Sequence, residues 1–209
     1  MSLGIKEYKG FFWPEWDTQA SAVICDQVVD VEHALKYVKD FQVAIQAGGN
    51  VGVWPKYLSK RFKEVHTFEP EPSNWACLEK NCPELSIIKW PHALGRLSGR
   101  VGMEYPEGRE NMGACCVKPN IGDISVVRID DLNLIACGLI QLDIEGYEIE
   151  AILGAARTIE RFRPVLMVED KGLSAKYGYA QGWSDTLLTE WGYEVVDKIN
   201  RDVILVHRG

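Results

Sequence analysis

VAIQAGGNVG, Val43 to Gly52, joins an apolar run to a glycine-rich turn. Val43, Ala44 and Ile45 read as a short buried strand, because two of the three are β-branched. Gly48, Gly49 and Gly52 then remove side chains from the turn, so that backbone passes close to a ligand. Pro55 follows, and proline is tolerated in the first turn of a helix but not in its interior. The helix that carries Trp54, Leu58 and Phe62 on one stripe is therefore expected to start directly after Gly52. Strand, glycine turn, helix is the opening unit of a parallel sheet, and such sheets bind ligands beyond the carboxyl ends of their strands.

Downstream the alternation continues. EVHTF (64–68) is a second strand, SNWACLEKN (73–81) a helix capped by Ser73, and LSIIKW (85–90) a third strand. VGMEY and ACCVKP read as an antiparallel excursion, with turn residues Pro106, Gly108 and Gly113 between them. SVVRIDDL opens with another short strand, and LIQLDI is a strand with Asp143 near its end. EIEAILGAARTIERF reads as one helix, PVLMVED as a strand and SDTLLTEWG as a helix stopped by Gly192. YEVVDKI and DVILVHR are separated only by a short turn, which implies a terminal hairpin. A mostly parallel sheet covered by helices on both faces and finished by an antiparallel hairpin is the α/β class expected here. It departs from the dinucleotide fold, which closes with another parallel unit.

Upstream, residues 1–40 read as an N-terminal extension, and residues 41–209 as the main domain. GFFWPEWD is too apolar to float in water and is expected to pack on the body as a strap, or as part of a lid or substrate wall. DVEHALKYVKDF has Val31, Ala34, Leu35 and Val38 at helical spacing, with Asp30 placed to cap it.

The chain has 209 residues, enough for one domain with a short extension. Seven Trp, eight Tyr and six Phe supply a sizeable core, so disulfide staples are not needed. The net charge of −7 repels polyanions on average and makes nucleic acid a poor partner. None of the six cysteines forms a Cys-x-x-Cys pair or joins a histidine at zinc spacing, so no metal site is expected and a reducing, cytoplasmic setting is. No apolar run is long enough to span a bilayer.

The glycines of the opening turn fall at relative positions one, two and five, whereas the dinucleotide fingerprint needs one, three and six. The phosphate loop ending in Gly-Lys-Ser/Thr is also missing. Glu69, at the end of the second strand, is placed to accept both hydroxyls of a ribose. A ribose without a diphosphate, beside a glycine turn, points to an adenosine-type ligand such as S-adenosylmethionine (SAM).

QAGGNVG, HTFEPEPSN, RIDDL and LIQLDIEGYEIEAILGA occur in this order. Together they resemble the motifs of the FkbM-like SAM-dependent methyltransferases: Asp-x-Gly-Ala-Asn-x-Gly, Phe-Glu-Pro, Asp-Asp-Leu, and Asp-x-Glu-Gly before a Glu-rich helix. The resemblance spans roughly residues 43–169; GFFWP upstream looks like a phage or metagenomic branch. It implies a Rossmann-like class I methyltransferase fold, whose seven-stranded sheet ends in an antiparallel hairpin. It also implies that Gly48, Gly49, Asn50 and Gly52 line the methionine and ribose end of SAM, and that Glu69 and Pro70 hold the ribose side. Gln46 stands where the family carries an acid; it offers a carbonyl acceptor but no charge.

Methyl transfer needs in-line positioning, and a base when the nucleophile is a hydroxyl. Asp143 and Glu145 are the candidates for base, hydroxyl acceptor or cation ligand, against a structural role at the start of the next helix. His92, followed by Ala93, comes after the third strand, where it meets the adenine or acts as a base. Glu169, Asp170 and Lys171 form a charged rim at the next strand end. Tyr177, Tyr179 and Trp183, around Gly178 and Gly182, read either as a lid over the acceptor or as a packed loop, and Asn111-Met112-Gly113 reaches the same region. The expected activity is methylation of an oxygen on a small molecule or glycan. A SAM- or nucleoside-binding module without turnover and an NAD-dependent oxidoreductase are the alternatives.

Overall fold

The computed structural model describes residues 4–107, 110–119, 121–180 and 182–209. Gly108, expected as a turn residue, lies outside them. The centre is a seven-stranded sheet. In chain order its strands are β3 (Val43–Ala47), β4 (Glu64–Phe68), β5 (Ile87–Trp90), β10 (Leu139–Leu142), β11 (Val165–Glu169), β12 (Tyr193–Ile199) and β13 (Asp202–His207). They lie side by side as β12-β13-β11-β10-β3-β4-β5. The five inner and leading strands pair in parallel, while β13 runs antiparallel to both β11 and β12. The expected hairpin is therefore present, inserted into the sheet through β13. Strand order reverses between β3 and β10, which opens the crevice where open α/β sheets take ligands.

Alternate residues of the central strands serve two cores. Val43, Ile45, Ile140, Leu142, Leu166 and Val168 pack on one face. Ala44, Leu139, Val165 and Met167 pack on the other, against the N-terminal segment and α3 (Val53–Leu58). The extension is a hairpin of β1 (Ile5–Tyr8) and β2 (Phe11–Pro14), then α1 (Ala20–Gln27), a single 3₁₀ turn and α2 (Val31–Leu35). Trp13 at the end of β2 is fully buried, so this apolar segment does pack on the body. Asp30 does not cap α2. The backbone arrives already right-handed from the 3₁₀ turn, and the Asp30 carboxylate instead accepts from Asn200 Nδ2 at 2.7 Å.

The excursion is a second, four-stranded sheet with the order β6-β9-β7-β8. It contains β6 (Ala93–Leu94), β7 (Gly99–Glu104), β8 (Cys116–Pro119) and β9 (Ile124–Val127). Its antiparallel β7–β8 pair, Val101 opposite Pro119, matches the sequence reading; its β6–β9 parallel pair was not expected.

Two helices differ from expectation. α4 (Pro72–Asn81) is capped by Glu71, whose carboxylate accepts from Asn74 N at 2.7 Å, with Pro72 in the first turn. Ser73 lies inside the helix and donates its hydroxyl to Glu71. The expected single helix after β10 is two, α5 (Glu148–Leu153) and α6 (Ala156–Phe162). A Cβ on Gly154 would sit 2.1 Å from the Gly95 carbonyl, so the break is where the helix passes the small sheet backbone to backbone. Asp130 of the RIDDL motif then binds the start of α6, accepting from Thr158 N at 2.8 Å and Thr158 Oγ1 at 2.9 Å. α7 (Trp183–Glu190) leads into β12. No helix among the described residues is long and apolar enough to cross a membrane.

Candidate active site

A cleft opens at the carboxyl ends of β3, β4, β5 and β10. Its floor is backbone. β3 ends at Ala47, and Gly48 turns the chain with a φ of +81°. A Cβ on Gly48 would lie 1.9 Å from the Asp143 carbonyl oxygen, so no side chain fits between the first turn and the loop after β10. Of the turn residues, Gly48 and Asn50 line the cleft. Gly49 and Gly52 instead face the body: an added Cβ would press on Leu78 Cδ1 at 2.8 Å or on Cys82 Sγ at 2.5 Å.

Gln46 lies beneath the turn. Fully buried, it donates from Nε2 to the Gly48 carbonyl at 3.1 Å and accepts from Thr67 Oγ1 at 2.5 Å. It braces the turn from below, and both partners suit a neutral amide.

Glu69 forms the far wall. Its carboxylate accepts from Asn50 N at 2.6 Å through Oε2 and from Glu71 N at 2.8 Å through Oε1. Both oxygens are thus aimed by backbone, and each keeps one lone pair. Burial pushes the carboxyl up to about 8, against the Glu71 and Asn50 amides and the Asn74 side chain, which favour its charged form. Pro70 and Ala93 line the cleft beside it. His92 does so too, and its Nδ1 is buried without a partner. Phe68 and Trp90 stack almost parallel at 5.8 Å, and His92 tilts against Trp90 at 6.2 Å. Of these rings Phe68 and His92 line the cleft, and an aromatic edge there suits a planar base.

Opposite Glu69, the loop after β10 brings acids together. Oxygens of Asp143, Glu145 and Glu169 lie within 4.8 Å of one another. Lys171 sits among them, 2.9 Å from Glu145 and 2.8 Å from Glu169. The cation of this cluster is therefore part of the chain, which a charged rim in the sequence did not reveal. Asp143 has no such partner. Its carboxyl is raised well above the usual range by burial first, then by the charges of Glu169 and Glu145. Asp143 and Glu145 both line the cleft. Glu145 has a φ of +58°, a costly conformation for a side chain of this kind. The loop is held there by Glu148, whose Oε1 accepts from Ile144 N at 2.8 Å and Gly146 N at 3.1 Å.

The roof comes from places the sequence reading had treated apart. Met112 and Gly113 of the excursion close over the cleft, joined by Ile24 of α1. Tyr147 lines both this cleft and a neighbouring groove with Glu104, Lys118, Glu150, Lys176 and Tyr177. Tyr177 meets Tyr147 edge-on at 4.9 Å and donates to the Val117 carbonyl at 2.7 Å. Tyr179 donates to Glu150. Trp183 belongs to the main core and is 5% exposed, so it forms no part of an aromatic lid.

A family model described as the methyltransferase FkbM domain matches residues 120–195. The resemblance read from the motifs is thereby met over RIDDL, the Asp143 loop and the strands that follow; the glycine turn and Glu69 lie ahead of the matched stretch. Among solved structures, the chain is similar to methyltransferase FkbM from Methylobacillus flagellatus KT, at 18% identity and a TM-score of 0.51. The alignment covers 91% of this chain and 54% of that one, so the chain spans about half of that protein's length. A SAM-dependent methyltransferase from Anabaena variabilis ATCC 29413 aligns over 92% of this chain and 87% of its own, at 12% identity and a TM-score of 0.51. These likenesses show the class I methyltransferase fold. No curated protein sequence matches the chain significantly.

Proposed function

We propose, from a chain whose residues 120–195 match the FkbM methyltransferase domain and whose sheet has the class I order, that this protein is a SAM-dependent methyltransferase acting on an oxygen. The observation that carries the reading is Glu69. It is a buried carboxylate, held by two backbone amides, with one lone pair on each oxygen left for the two hydroxyls of a ribose. The unpartnered Nδ1 of His92 and the aromatic edge beside it suit adenine. Ala47 and Gly48 line the cleft at the end of β3, where the methionine end would lie.

When bound, SAM supplies an electrophilic methyl group. The chain's own part is to orient the acceptor, exclude water and move a proton. Lys171 pairs directly with Glu145 and Glu169 and leaves Asp143 as the carboxyl at the cleft without an ion pair among the described residues. Asp143 would accept the proton of an acceptor hydroxyl, while the methyl group would leave the sulfonium of bound SAM for the acceptor oxygen and SAH would depart. The groove that shares Val117 and Tyr147 with the cleft is the acceptor's approach. Its tyrosines and mixed charges suit a small hydroxylated molecule or a glycan better than a polyanion, as does the net charge of −7. We place the protein in a reducing cytoplasm, consistent with the free thiols of Cys25, Cys77, Cys82, Cys116 and Cys137.

The test is calorimetric titration with SAM and S-adenosylhomocysteine (SAH), followed by methyl transfer from labelled SAM to a panel of hydroxylated acceptors. We expect micromolar binding and product with at least one acceptor. Absence of binding up to millimolar ligand overturns the reading, and binding of NAD in its place revives the oxidoreductase. Tight SAM binding without product on any acceptor favours a binding module.

A further inference from the structure

We propose that Asp17, in the N-terminal segment outside the main sheet, is a positioning residue for the cofactor cleft. It does so by fixing the Met112–Gly113 turn that roofs that cleft. The inference rests on the reading of the cleft as a SAM site.

Asp17 is fully buried although it belongs to a loop between β2 and α1. Its two carboxylate oxygens serve two segments. Oδ1 accepts from Ser21 N at 2.9 Å and fastens the first turn of α1. Oδ2 accepts from Met112 N at 2.9 Å, across 95 positions of chain. The adjacent backbone repeats the link: Thr18 N and Gln19 N both donate to the Glu110 carbonyl, at 2.9 and 3.1 Å. Lys6 Nζ donates to the Asp17 carbonyl and ties the same loop to β1.

From the core side, Asn74 of α4 donates through Nδ2 to the Met112 carbonyl at 3.1 Å. Met112 is thus held by its amide from the extension and by its carbonyl from the main body. Next to it, a Cβ on Gly113 would stand 3.2 Å from the Ala20 Cβ, so the roof and α1 touch closely. Ile24, one turn further along α1, lines the cleft beside them. A loop roof has few contacts of its own and opens readily unless tied down. Here the tie is one buried carboxylate that bridges α1 to the roof. The extension is therefore a wall of the cleft, and Asp17 sets the wall's distance from Glu69 and Gly48.

Asp17→Asn tests this, because an amide has one acceptor oxygen and cannot serve both N–H donors. Three quantities are read: SAH affinity by calorimetry, amide hydrogen exchange, and the urea midpoint. The variant is expected to bind SAH about tenfold more weakly, the order for one charge-assisted hydrogen bond. Exchange is expected to rise in residues 110–114 and not in the β12–β13 hairpin. Asn74→Ser is expected to loosen the same turn from the other side. Combined with Asp17→Asn, its rise in exchange at residues 110–114 should be less than additive, because both act on that turn through Met112. Unchanged SAH affinity in a folded Asp17→Asn variant overturns the proposal. So does a rise in exchange spread evenly over the chain, which marks general destabilisation. If Asp17→Asn does not fold, Lys6→Met, which frees the Asp17 carbonyl from β1 and leaves the cleft lining untouched, decides instead: a rise in exchange confined to residues 110–114 with weaker SAH binding supports the roof, and unchanged binding overturns it. If the wild-type protein binds no SAH, the SAM reading fails by itself. The clamp is then judged on the exchange pattern.

Discussion

Glu69 gives the sharpest forecast, because its geometry fixes where a proton must sit. Each oxygen already accepts one backbone N–H, from Asn50 and from Glu71. The neutral acid must therefore place its proton on one of the two outward lone pairs, where a ribose hydroxyl would donate. Ligand and proton compete for the same position. With the carboxyl pushed up to about 8, the ligand-free protein carries that proton at neutral pH. Apparent affinity for a ribose-bearing ligand then weakens by the protonated fraction. The loss is about twofold at pH 8, about tenfold at pH 7 and about a hundredfold at pH 6, with a plateau above about pH 9. The sign follows from competition: binding releases a proton, so affinity rises with pH until the acid is fully ionised. The assay is calorimetry with 5′-methylthioadenosine, which has the ribose and base but no group that titrates in this range. Repeating it in buffers of different ionisation heat counts the released proton. Glu69→Gln should bind weakly at every pH and lose the slope. An affinity flat from about pH 6 to about pH 9 in the wild-type protein refutes the argument, as does a slope that survives in Glu69→Gln.

Three further outcomes are expected. Burial pushes the carboxyl groups of Glu148 and Asp202 up to about 7 and that of Glu69 to about 8, so the native state holds protons that the unfolded chain gives up. Stability should therefore fall as pH rises from about 5 to about 8, seen as a lower urea midpoint, and Glu148→Gln should flatten that fall while its carbonyl keeps the two loop amides. Asp130→Ala removes the acceptor for Thr158 N and Oγ1 and should cost about 2–3 kcal/mol of unfolding free energy, against a loss near zero if the cap is idle. Gln141 is fully buried with neither amide atom hydrogen-bonded, so Gln141→Met should stabilise the protein by about 1–3 kcal/mol in the same assay; a loss would reveal a partner for that amide.

The strands and helices of residues 43–209 were legible because they follow from local chemistry. Val43 to Gly52 combines β-branched residues with glycines, and the structure needs a glycine at 48, where φ is +81° and a Cβ would meet Asp143. The terminal hairpin follows from two β-rich runs with two residues between them. Where the reading slipped, a contact outside the rule applied had decided the outcome. Ser73 has the usual capping chemistry, yet Glu71 reaches Asn74 N. The helix after Glu148 has unbroken periodicity, yet it breaks where Gly154 passes Gly95. Gln46 read as a weakened ligand contact because its spacing matches one; its side chain, in a strand flanked by β4 and β10, is spent on Gly48 and Thr67 beneath the turn.

The sequence alone determined the sheet, its crevice and the wall that Glu69 provides. Periodicity, backbone conformation and strand ends are properties of neighbouring residues. Only the tertiary structure decided that Lys171 is the cation among three acids, and that Asp17 and Ile24 of the extension belong to the roof. The Lys171–Glu145 and Asp17–Met112 pairings join residues far apart in the chain, and a carboxylate buried by folding reads in sequence like one left in water.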